Sequence, residues 1–261
     1  MKSNPLVSVV LPIRNAGGNY RGVLTTLQQS LSDIEVIVID DASTDETAAD
    51  MKALAVRDSR VRLVSLPHQV GIAAALNEGI RVARANLIAR MDADDEINPV
   101  RLEKQVAFLR EHPEIDVLGT NFVRVLEDVG QEIHVTMPED DDHIKRRLAI
   151  ATALCHPSLL IRKDCFTRWG FYDPTFRRQQ DYELWLRWRP HVRYHNLQEP
   201  LMRVFGNLKD WQRMKHTSRV GILQGQLRMR VKHFGNSQSP VQDVLGFARF
   251  LSSFAVDLVR S

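Results

Sequence analysis

Apolar runs of strand length alternate with amphipathic helical patterns in the first half of the chain, and no other feature limits its fold as strongly. The predicted strands are residues 7–11, 34–40, 61–65 and 87–91, and the predicted helices are about 20–30, 43–55, 71–83 and 98–112. Consecutive strands joined by helices run parallel and need helices on both faces. The first half therefore predicts an α/β fold with a mostly parallel sheet flanked by helices.

Local signals place two helix starts and several later elements. Ser43 and Glu46 form the pattern of a capping box, and Asn98 followed by Pro99 predicts the start of the fourth helix. Beyond residue 117 the pattern predicts shorter strands and less regular helices that add to the sheet. The later elements are a helix at 140–153, a strand at 158–161, a helix starting near Asp181 and a helix at 210–232.

The composition indicates one enzyme-sized unit with an appendage. With 261 residues, 44% of them hydrophobic, the chain can bury one substantial core. We expect a main domain over 1–205 and a basic, mainly helical C-terminal extension over 206–261. Cys155 and Cys165 are too few for a disulfide framework, so a reduced, cytoplasmic protein is expected. The apolar amino-terminal stretch is too short for a secretory signal, and no apolar run is long enough to predict a membrane span.

The basic residues are concentrated in the tail. Residues 201–261 carry ten Lys or Arg against three acids, a net +7, whereas residues 1–200 carry −4. A basic end can face an anionic membrane or substrate, but this one lacks the interleaved aromatics of a nucleic-acid binder, so no nucleic-acid partner is expected. Residues 241–259 have an apolar helical face. It predicts docking onto the body, a homodimer contact or peripheral contact with the cytoplasmic face of a membrane.

The segment LIARMDADD at 87–95 places three carboxylates within four residues, directly after an apolar run. Asp92, Asp94 and Asp95 repel one another unless a positive charge lies among them. The simplest positive partner is a divalent cation, because Mg²⁺ and Mn²⁺ prefer carboxylate oxygens shared with substrate phosphates. A strand followed by a solvated acidic turn is the alternative.

Three predicted strands end in unusual groups: LPIRN at 11–15, DDAS at 40–43 and MDADD at 91–95. In a parallel sheet these ends converge on one crevice, where such folds bind ligands. The chain has no Gly-rich phosphate loop, which argues against a dinucleotide dehydrogenase and a P-loop NTPase, so phosphates would be held through a metal. Asp40 and Asp41 would accept hydrogen bonds from a ribose or a pyrimidine N–H, or simply begin a turn.

Several separated motifs resemble those of the family 2 glycosyltransferases of the GT-A fold. They are LPIRN, VIVIDDASTDET, VGIAAALNEGIRVARANLIARMDADD with NPVRLEKQ, and CHPSLLIRKDCFTRWGFYDPTFRRQQDYELWLR, in that order. The resemblance covers about residues 6–190. It implies an inverting transfer of a sugar from a nucleotide-diphosphate sugar, with a UDP-sugar as the favoured donor. Such a transfer usually requires Mn²⁺ or Mg²⁺. The acceptor would be a saccharide or a lipid-linked saccharide, in the biosynthesis of a cell-surface polysaccharide or glycolipid.

Carried over by position, the resemblance implies roles for the residues at the strand ends. Asp92 and Asp94 match the Asp-x-Asp motif, with Asp92 near the ribose and metal and Asp94 as a metal ligand. Asp95 would be a supporting acid. The residues implied to line the nucleoside pocket are Pro12, Arg14, Asp41 and Gly71.

The resemblance also implies the catalytic base. Asp181 in QQDYELWLR aligns with the aspartate of the family's Glu-Asp pair, and a base is needed because an acceptor hydroxyl is a poor nucleophile. Gln180 replaces the preceding Glu, which removes one negative charge and favours a lower pKa for Asp181. Asp181 is also suited to be a helix N-cap, and both roles are compatible.

Three weaker features remain open. His156 in CHPS could approach the diphosphate or acceptor, or be a packed histidine. Arg203 resembles a family position on a flexible segment that can meet the donor diphosphate. Trp185 and Trp188 have the helical spacing of core residues, although they could stack on a sugar with Trp169.

Competing functions are less well supported by the sequence. A nucleotidyltransferase needs a Gly-rich amino-terminal loop, and the chain offers only Gly17 and Gly18. A phosphatase with an Asp-x-Asp nucleophile would have Thr or Val soon after the second Asp, where this chain has Asp95 and Glu96. A catalytically inactive sugar-nucleotide-binding or scaffold protein is the remaining alternative, and only Gln180 favours it.

Overall fold

The computed structural model describes residues 4–148 and 151–212. The strands are β1 Val7–Ile13, β2 Ile34–Asp40, β3 Val61–Ser65, β4 Leu87–Arg90, β5 Glu96–Ile97, β6 Val117–Leu126, β7 Gln131–Val135, β8 Leu160–Arg162 and β9 Tyr194–Gly206. The helices are α1 Arg21–Leu27, α2 Thr47–Arg57, α3 Ile72–Val82, α4 Arg101–Glu111, α5 Asp141–Leu148, α6 Asp164–Trp169 and α7 Gln180–Trp188. A short 3₁₀ turn, His156–Ser158, precedes β8.

The four predicted βα units form one half of the sheet, in the order β3-β2-β1-β4 with every pairing parallel. β1 lies beside both β2 and β4, with Val10 opposite Ile37 on one side and Arg90 on the other. Parallel strands are covered on both faces, and their residues are accordingly apolar: β1 and β2 are buried almost throughout.

The second half extends the same sheet with mixed pairing, in the order β8-β6-β9-β5 beyond β4, and β7 pairs with β6. β8 is antiparallel to both β4 and β6, whereas β9 is parallel to β6. The expectation of shorter strands here is met by β7 and β8, with five and three residues, but was wrong for β6 and β9, which have ten and thirteen. Their polar residues hid this length: Thr120, Asn121 and Asn196 are buried and bonded inside the sheet.

Alternate residues of the central strands build two cores, one on each face of the sheet. Val10 and Ile37 belong to the cluster under α3, α6 and α7, whereas Val9 and Val36 belong to the cluster under α1, α2 and α4. This alternation follows from the two-residue period of a strand. The result is a sheet between two helical layers.

Two predicted helix starts were wrong. α2 begins at Thr47, and no capping box forms, because the Ser43 hydroxyl accepts a hydrogen bond from the Asn15 N–H instead. α4 begins at Arg101, since the Asn98 carboxamide accepts the Val100 N–H and closes a turn before the helix.

Several later boundaries also differ from the expectations. α5 is described only to Leu148, and the expected strand at 158–161 is a 3₁₀ turn followed by β8. Most of the predicted helix at 210–232, and all of 241–259, lie outside the described residues. Within 4–148 and 151–212, no helix combines the length and apolar character needed to cross a membrane.

Candidate active site

The three motifs at the strand ends meet at one edge of the sheet. Ile13, at the end of β1, is paired with Asp40 at the end of β2, and Arg90 ends β4 on the other side. Backbone bonds continue past the strands, from the Asp41 N–H to the Ile13 carbonyl at 2.9 Å and from the Met91 N–H to the Val10 carbonyl at 3.2 Å. The predicted convergence of LPIRN, DDAS and MDADD is therefore confirmed.

Hydrogen bonds that involve side chains join the loop after β1 to the loop after β2. The Asn15 N–H donates to Ser43 Oγ at 3.0 Å, and Asn15 Oδ1 accepts the Thr44 N–H at 2.8 Å. The Ala16 N–H donates to Thr47 Oγ1 at 2.8 Å. Asn15 has φ of 46°, a conformation that Asn tolerates better than most residues. These bonds fix the chain just after Pro12 and Arg14.

Asp41 connects β2 to the start of α3. Its Oδ1 accepts the Val70 N–H at 2.7 Å and its Oδ2 accepts the Gly71 N–H at 2.9 Å. Gly71 precedes α3 with φ of 86°, a conformation that favours glycine. The Asp41 carboxylate thus shapes the loop beside it.

These loops enclose a cavity of about 230 Å³. Its lining consists of Pro12, Ile13, Arg14, Asp41, Gln69, Gly71, Ile72, Ala75 and Asp92. The structure therefore brings together all four residues predicted to line the nucleoside pocket, and adds Asp92. A larger cavity, about 340 Å³, lies beside Leu6 and Asn86 at the opposite edge, and none of the predicted site residues lines it.

The acidic loop after β4 is held against α1. The Gly22 N–H donates to the Ala93 carbonyl at 2.8 Å, and a Cβ on Gly22 would lie 2.1 Å from the Asp92 carbonyl oxygen. No side chain fits this approach, so Gly22 fixes the position of the loop. Sequence reasoning missed it, because a glycine in the first turn of a helix gives no distinctive signal.

The three acids occupy different environments. Asp92 is half-buried, Asp94 is exposed and Asp95 is buried, with its Oδ1 accepting the Phe205 N–H at 2.9 Å. Partial desolvation by its neighbours, followed by the charge of Asp92, raises the pKa of Asp94, and the fuller burial of Asp95, followed by the same charge, raises its pKa to about 8. Asp95 therefore supports the loop, whereas Asp94 is open to a ligand.

Arg90 is a charged residue that sequence reasoning missed. It is 4% exposed at the end of β4, and its Nη1 forms an ion pair with Asp92 Oδ2. The chain itself thus supplies a positive charge beside the acids, in addition to any bound cation. The signal was present, since a single Arg interrupts the apolar run LIARM directly before them.

Asp181 lies in the first turn of α7. Gln179, with φ of 59°, precedes the helix, so the predicted N-cap role of Asp181 was wrong. Burial raises the pKa of Asp181, and the charge of Arg90 acts in the opposite direction. The lowering expected from the neutral Gln180 is relative to a glutamate at that position, and it stays a prediction. A base with a raised pKa is a stronger proton acceptor once it is ionised.

His156 lies under the site as a packed histidine. It is buried, its Nε2 is 2.8 Å from the Tyr172 hydroxyl, and burial holds its pKa well below the usual value. Asn77 fixes Tyr172, because its carboxamide donates to the Tyr172 carbonyl and accepts the Tyr172 N–H. The structure therefore does not bring His156 to the cavity lining, and its predicted substrate contact stays a prediction.

Comparison with known proteins identifies the family. The family model described as Glycosyl transferase family 2 matches residues 8–170, which is more than half of the chain. The chain belongs to glycosyl transferase family 2. It is 35% identical over 212 residues to EpsE of Bacillus subtilis (strain 168), covering 78% of this chain and 74% of EpsE. It is 32% identical over 181 residues to the O-antigen biosynthesis glycosyltransferase WbnJ of Escherichia coli, covering 67% and 69%.

Solved structures show the same fold at lower identity. S. aureus TarS superimposes with a TM-score of 0.70 at 18% identity, over 94% of this chain but 42% of TarS. The mannosyltransferase PcManGT from Pyrobaculum calidifontis gives a TM-score of 0.63 at 19% identity, over 96% of this chain and 69% of that one. The expected GT-A-type sheet flanked by helices is confirmed, in a mixed form.

Arg203 does not lie on a flexible segment in this family 2 glycosyltransferase. It is part of β9, and its Nη2 lies 2.6 Å from Glu132 Oε1 while its Nε lies 3.5 Å from Glu96 Oε2. It does not line the 230 Å³ cavity. The expected flexibility was wrong, because pairing with β5 and β6 extends β9 through this position.

The tryptophans divide as their spacing predicts. Trp185 and Trp188 are fully buried in the core beneath α7, which confirms the core interpretation. Trp169 stacks on His191 at 4.1 Å between ring centroids. None of the three lines the 230 Å³ cavity.

Proposed function

We propose that this family 2 glycosyltransferase is an inverting enzyme that moves a sugar from a UDP-sugar to an acceptor hydroxyl. The observation that carries the proposal is the 230 Å³ cavity, whose lining includes Pro12, Arg14, Asp41 and Gly71 together with Asp92. These are the residues that the family resemblance assigns to the nucleoside. A pyrimidine fits the acceptor atoms of Asp41, whose oxygens can each accept a further hydrogen bond.

The solved relatives bind ligands of this class. TarS has been crystallised with UDP and with UDP-GlcNAc, and PcManGT with GDP-Man and Mn²⁺. EpsE, WbnJ and the amylovoran biosynthesis glycosyltransferase AmsE of Erwinia amylovora are among the curated relatives. Two of these names refer to polysaccharide products, which favours a role in the biosynthesis of a cell-surface polysaccharide or glycolipid.

The acidic loop suits Mn²⁺ or Mg²⁺. Within the described residues, no group of three side chains forms a complete metal site. Two carboxylates plus diphosphate oxygens are nevertheless a usual ligand set for these ions. Desolvation and then the charge of Asp92 raise the pKa of Asp94, and a cation would relieve the repulsion between the two carboxylates. Asp94 would be a ligand and Asp92 a neighbour of the ribose and metal, and the ion would neutralise charge on the leaving diphosphate.

Asp181 is the proposed base. Its carboxylate would take the proton of the acceptor hydroxyl as the oxygen attacks the anomeric carbon. No acid partner is required, because a nucleoside diphosphate leaves as a stabilised anion, unlike the leaving group in glycoside hydrolysis. Attack from the face opposite the diphosphate inverts the anomeric configuration, so an α-linked donor gives a β-linked product.

A screen of nucleotide sugars tests this function. We expect slow hydrolysis of one or a few UDP-sugars when Mn²⁺ or Mg²⁺ is present, because water can replace the acceptor. Calorimetry should show tighter UDP binding with Mn²⁺ than without it, and Asp94→Asn should remove that difference. Tight binding that does not depend on metal would contradict the metal assignment. Binding of no nucleotide would contradict the function.

The basic C-terminal extension favours a lipid-linked saccharide acceptor at the membrane surface. Residues 241–259 would lie on an anionic membrane or form a homodimer contact. Flotation of the full chain with anionic liposomes, compared with a chain ending at Ser239, tests this placement. Flotation of the full chain alone supports membrane contact. If the full chain and the chain ending at Ser239 float to the same extent, residues 241–259 do not determine membrane binding. Internal docking is then favoured, or a homodimer contact if sedimentation shows that the full chain is dimeric.

A further inference from the structure

Arg90 is the buried cation nearest to the acidic loop in sequence. It ends β4, its side chain is almost fully inside the protein, and its Nε has no hydrogen-bond partner among the described residues. Burying a guanidinium is costly unless ion pairs and hydrogen bonds compensate it. Among the described residues, Asp92 is the acid that forms an ion pair with this guanidinium, so the compensation of the buried charge depends mainly on that carboxylate.

A second buried arginine is held differently, although its Nε also has no hydrogen-bond partner among the described residues. Arg101 is fully buried, and its Nη1 donates to the Pro157 carbonyl at 2.7 Å while also contacting Met202 Sδ. These contacts join α4 to the turn before β8 and to β9. Within the part of the chain that the structure describes, neither Nε nor Nη1 of Arg90 has a carbonyl acceptor of this kind. Its guanidinium contacts a carboxylate of the proposed donor site instead.

The two oxygens of Asp92 are in different situations. Oδ2 is paired with Arg90, whereas Oδ1 accepts no hydrogen bond from any described residue. The backbone of Asp92 is held independently, by the close approach of Gly22. The carboxylate is thus fixed at one oxygen and available at the other.

We propose that Arg90 is a positioning residue that holds Asp92 Oδ2, so that Oδ1 faces the donor and its metal in one orientation. The inference rests on the proposed function, and it assigns Arg90 a part in donor binding that acts through Asp92. The positive charge of Arg90 also offsets the acids when a negatively charged diphosphate approaches. Residues that orient a ligating carboxylate commonly contribute strongly to metal affinity.

Calorimetry of UDP binding in the presence of Mn²⁺ tests the proposal with the full chain. Arg90→Met should weaken this binding by about 10- to 100-fold, the range usual for partners of metal ligands. Arg90→Lys should recover much of the loss, because it restores the charge. In an Asp92→Asn background, Arg90→Met should cause a much smaller loss, since its route of action has been removed.

Arg84→Met is the matched control. Arg84 also pairs with a buried carboxylate, Glu35 at 2.9 Å, but at the opposite edge of the sheet. It should leave UDP affinity unchanged. A folded Arg90→Met protein with wild-type affinity would overturn the proposal, and so would equal losses in the wild-type and Asp92→Asn backgrounds.

A measurement without ligand separates this inference from the proposed function. Thermal unfolding of the metal-free wild type, the two single variants and the double variant gives the coupling between Arg90 and Asp92. Non-additive shifts in unfolding temperature support the ion pair between Arg90 and Asp92, even if the wild type binds a different nucleotide. Additive shifts would overturn that ion pair. Failure of the wild type to bind any nucleotide would count against the proposed function instead.

Discussion

Gly22 and Asp92 are in backbone contact: a Cβ on Gly22 would lie 2.1 Å from the Asp92 carbonyl oxygen. The contact joins α1 to the acidic loop, and the Gly22 N–H also donates to the Ala93 carbonyl. The loop that carries the proposed metal ligands therefore depends on a residue with no functional group. Its geometry is set by the absence of a side chain.

Gly22→Ala should destabilise the protein and weaken donor binding. Alanine gains up to about 1 kcal/mol in helix propensity over glycine, but overpacking typically costs about 1–3 kcal/mol, and a backbone oxygen cannot rotate away. Urea unfolding and UDP calorimetry with Mn²⁺ measure the two effects. Leu24→Ala, at an exposed position of the same helix, should stay within about 0.5 kcal/mol. Wild-type affinity in Gly22→Ala would show that the loop can shift freely.

Asp41→Asn should loosen the start of α3. Both carboxylate oxygens accept backbone N–H groups, and the amide of Asn would present one nitrogen to a donor, leaving that donor unsatisfied. The expected cost is about 1–3 kcal/mol of stability. UDP affinity should fall about tenfold, equivalent to about 1.4 kcal/mol.

The control for this change is Asp58→Asn. Asp58 accepts the Arg60 N–H and its guanidinium in a turn before β3, away from the cavity. It should lose stability without losing UDP affinity. If both variants bind UDP as the wild type does, Asp41 has no part in the nucleoside site.

The sequence predicted the structure best where an apolar run of strand length is followed directly by acidic residues. The apolar runs before Asp40 and Asp92 predicted the parallel half of the sheet and the edge at which the site lies. The long strands β6 and β9 could not be recognised, because their buried Asn121 and Asn196 make hydrogen bonds that only tertiary contacts supply. The contact of Gly22 with the acidic loop could not be predicted either, because it too exists only in the tertiary structure.

Asp181→Asn should retain donor binding and lose transfer. Removing a general base typically lowers the rate by about 10²- to 10⁴-fold, whereas the nucleoside cavity does not include Asp181. Steady-state transfer assays with UDP calorimetry as the companion measurement separate the two effects. Unchanged turnover would remove Asp181 as the base.

Gln180→Glu should move the pH dependence of transfer. Because burial raises the pKa of Asp181, the base loses its proton only above the usual pH range of aspartate, and the rate should rise with pH through that value. A neighbouring negative charge at position 180 disfavours the ionised form and should shift the rising limb to higher pH. The pH profile of kcat/KM, measured for both proteins, checks this. If the rising limb of the profile lies at the same pH in the wild type and in Gln180→Glu, the titrating group is not Asp181.

Asp95 should make the metal-free protein less stable as the pH rises from about 4 to about 8. Its pKa is about 8 in the folded protein, chiefly because of burial, compared with 3.8 as the usual value. Between these values the folded state holds a proton that the unfolded state has released. One such group lowers the free energy of unfolding by up to about 1.4 kcal/mol per pH unit. The loss ends once both states are ionised.

Asp95→Asn should flatten this slope, because the amide cannot ionise and its oxygen can still accept the Phe205 N–H. Urea unfolding at several pH values between 5 and 8 gives the slope for each protein. Asp45 is a suitable control, since hydrogen bonds, first from Thr47, lower its pKa, so Asp45→Asn should change stability without changing this slope. If Asp95→Asn keeps the wild-type slope, the proton held between pH 4 and 8 belongs to another acid of the loop, and Asp94, whose pKa is also raised, becomes the group to substitute next.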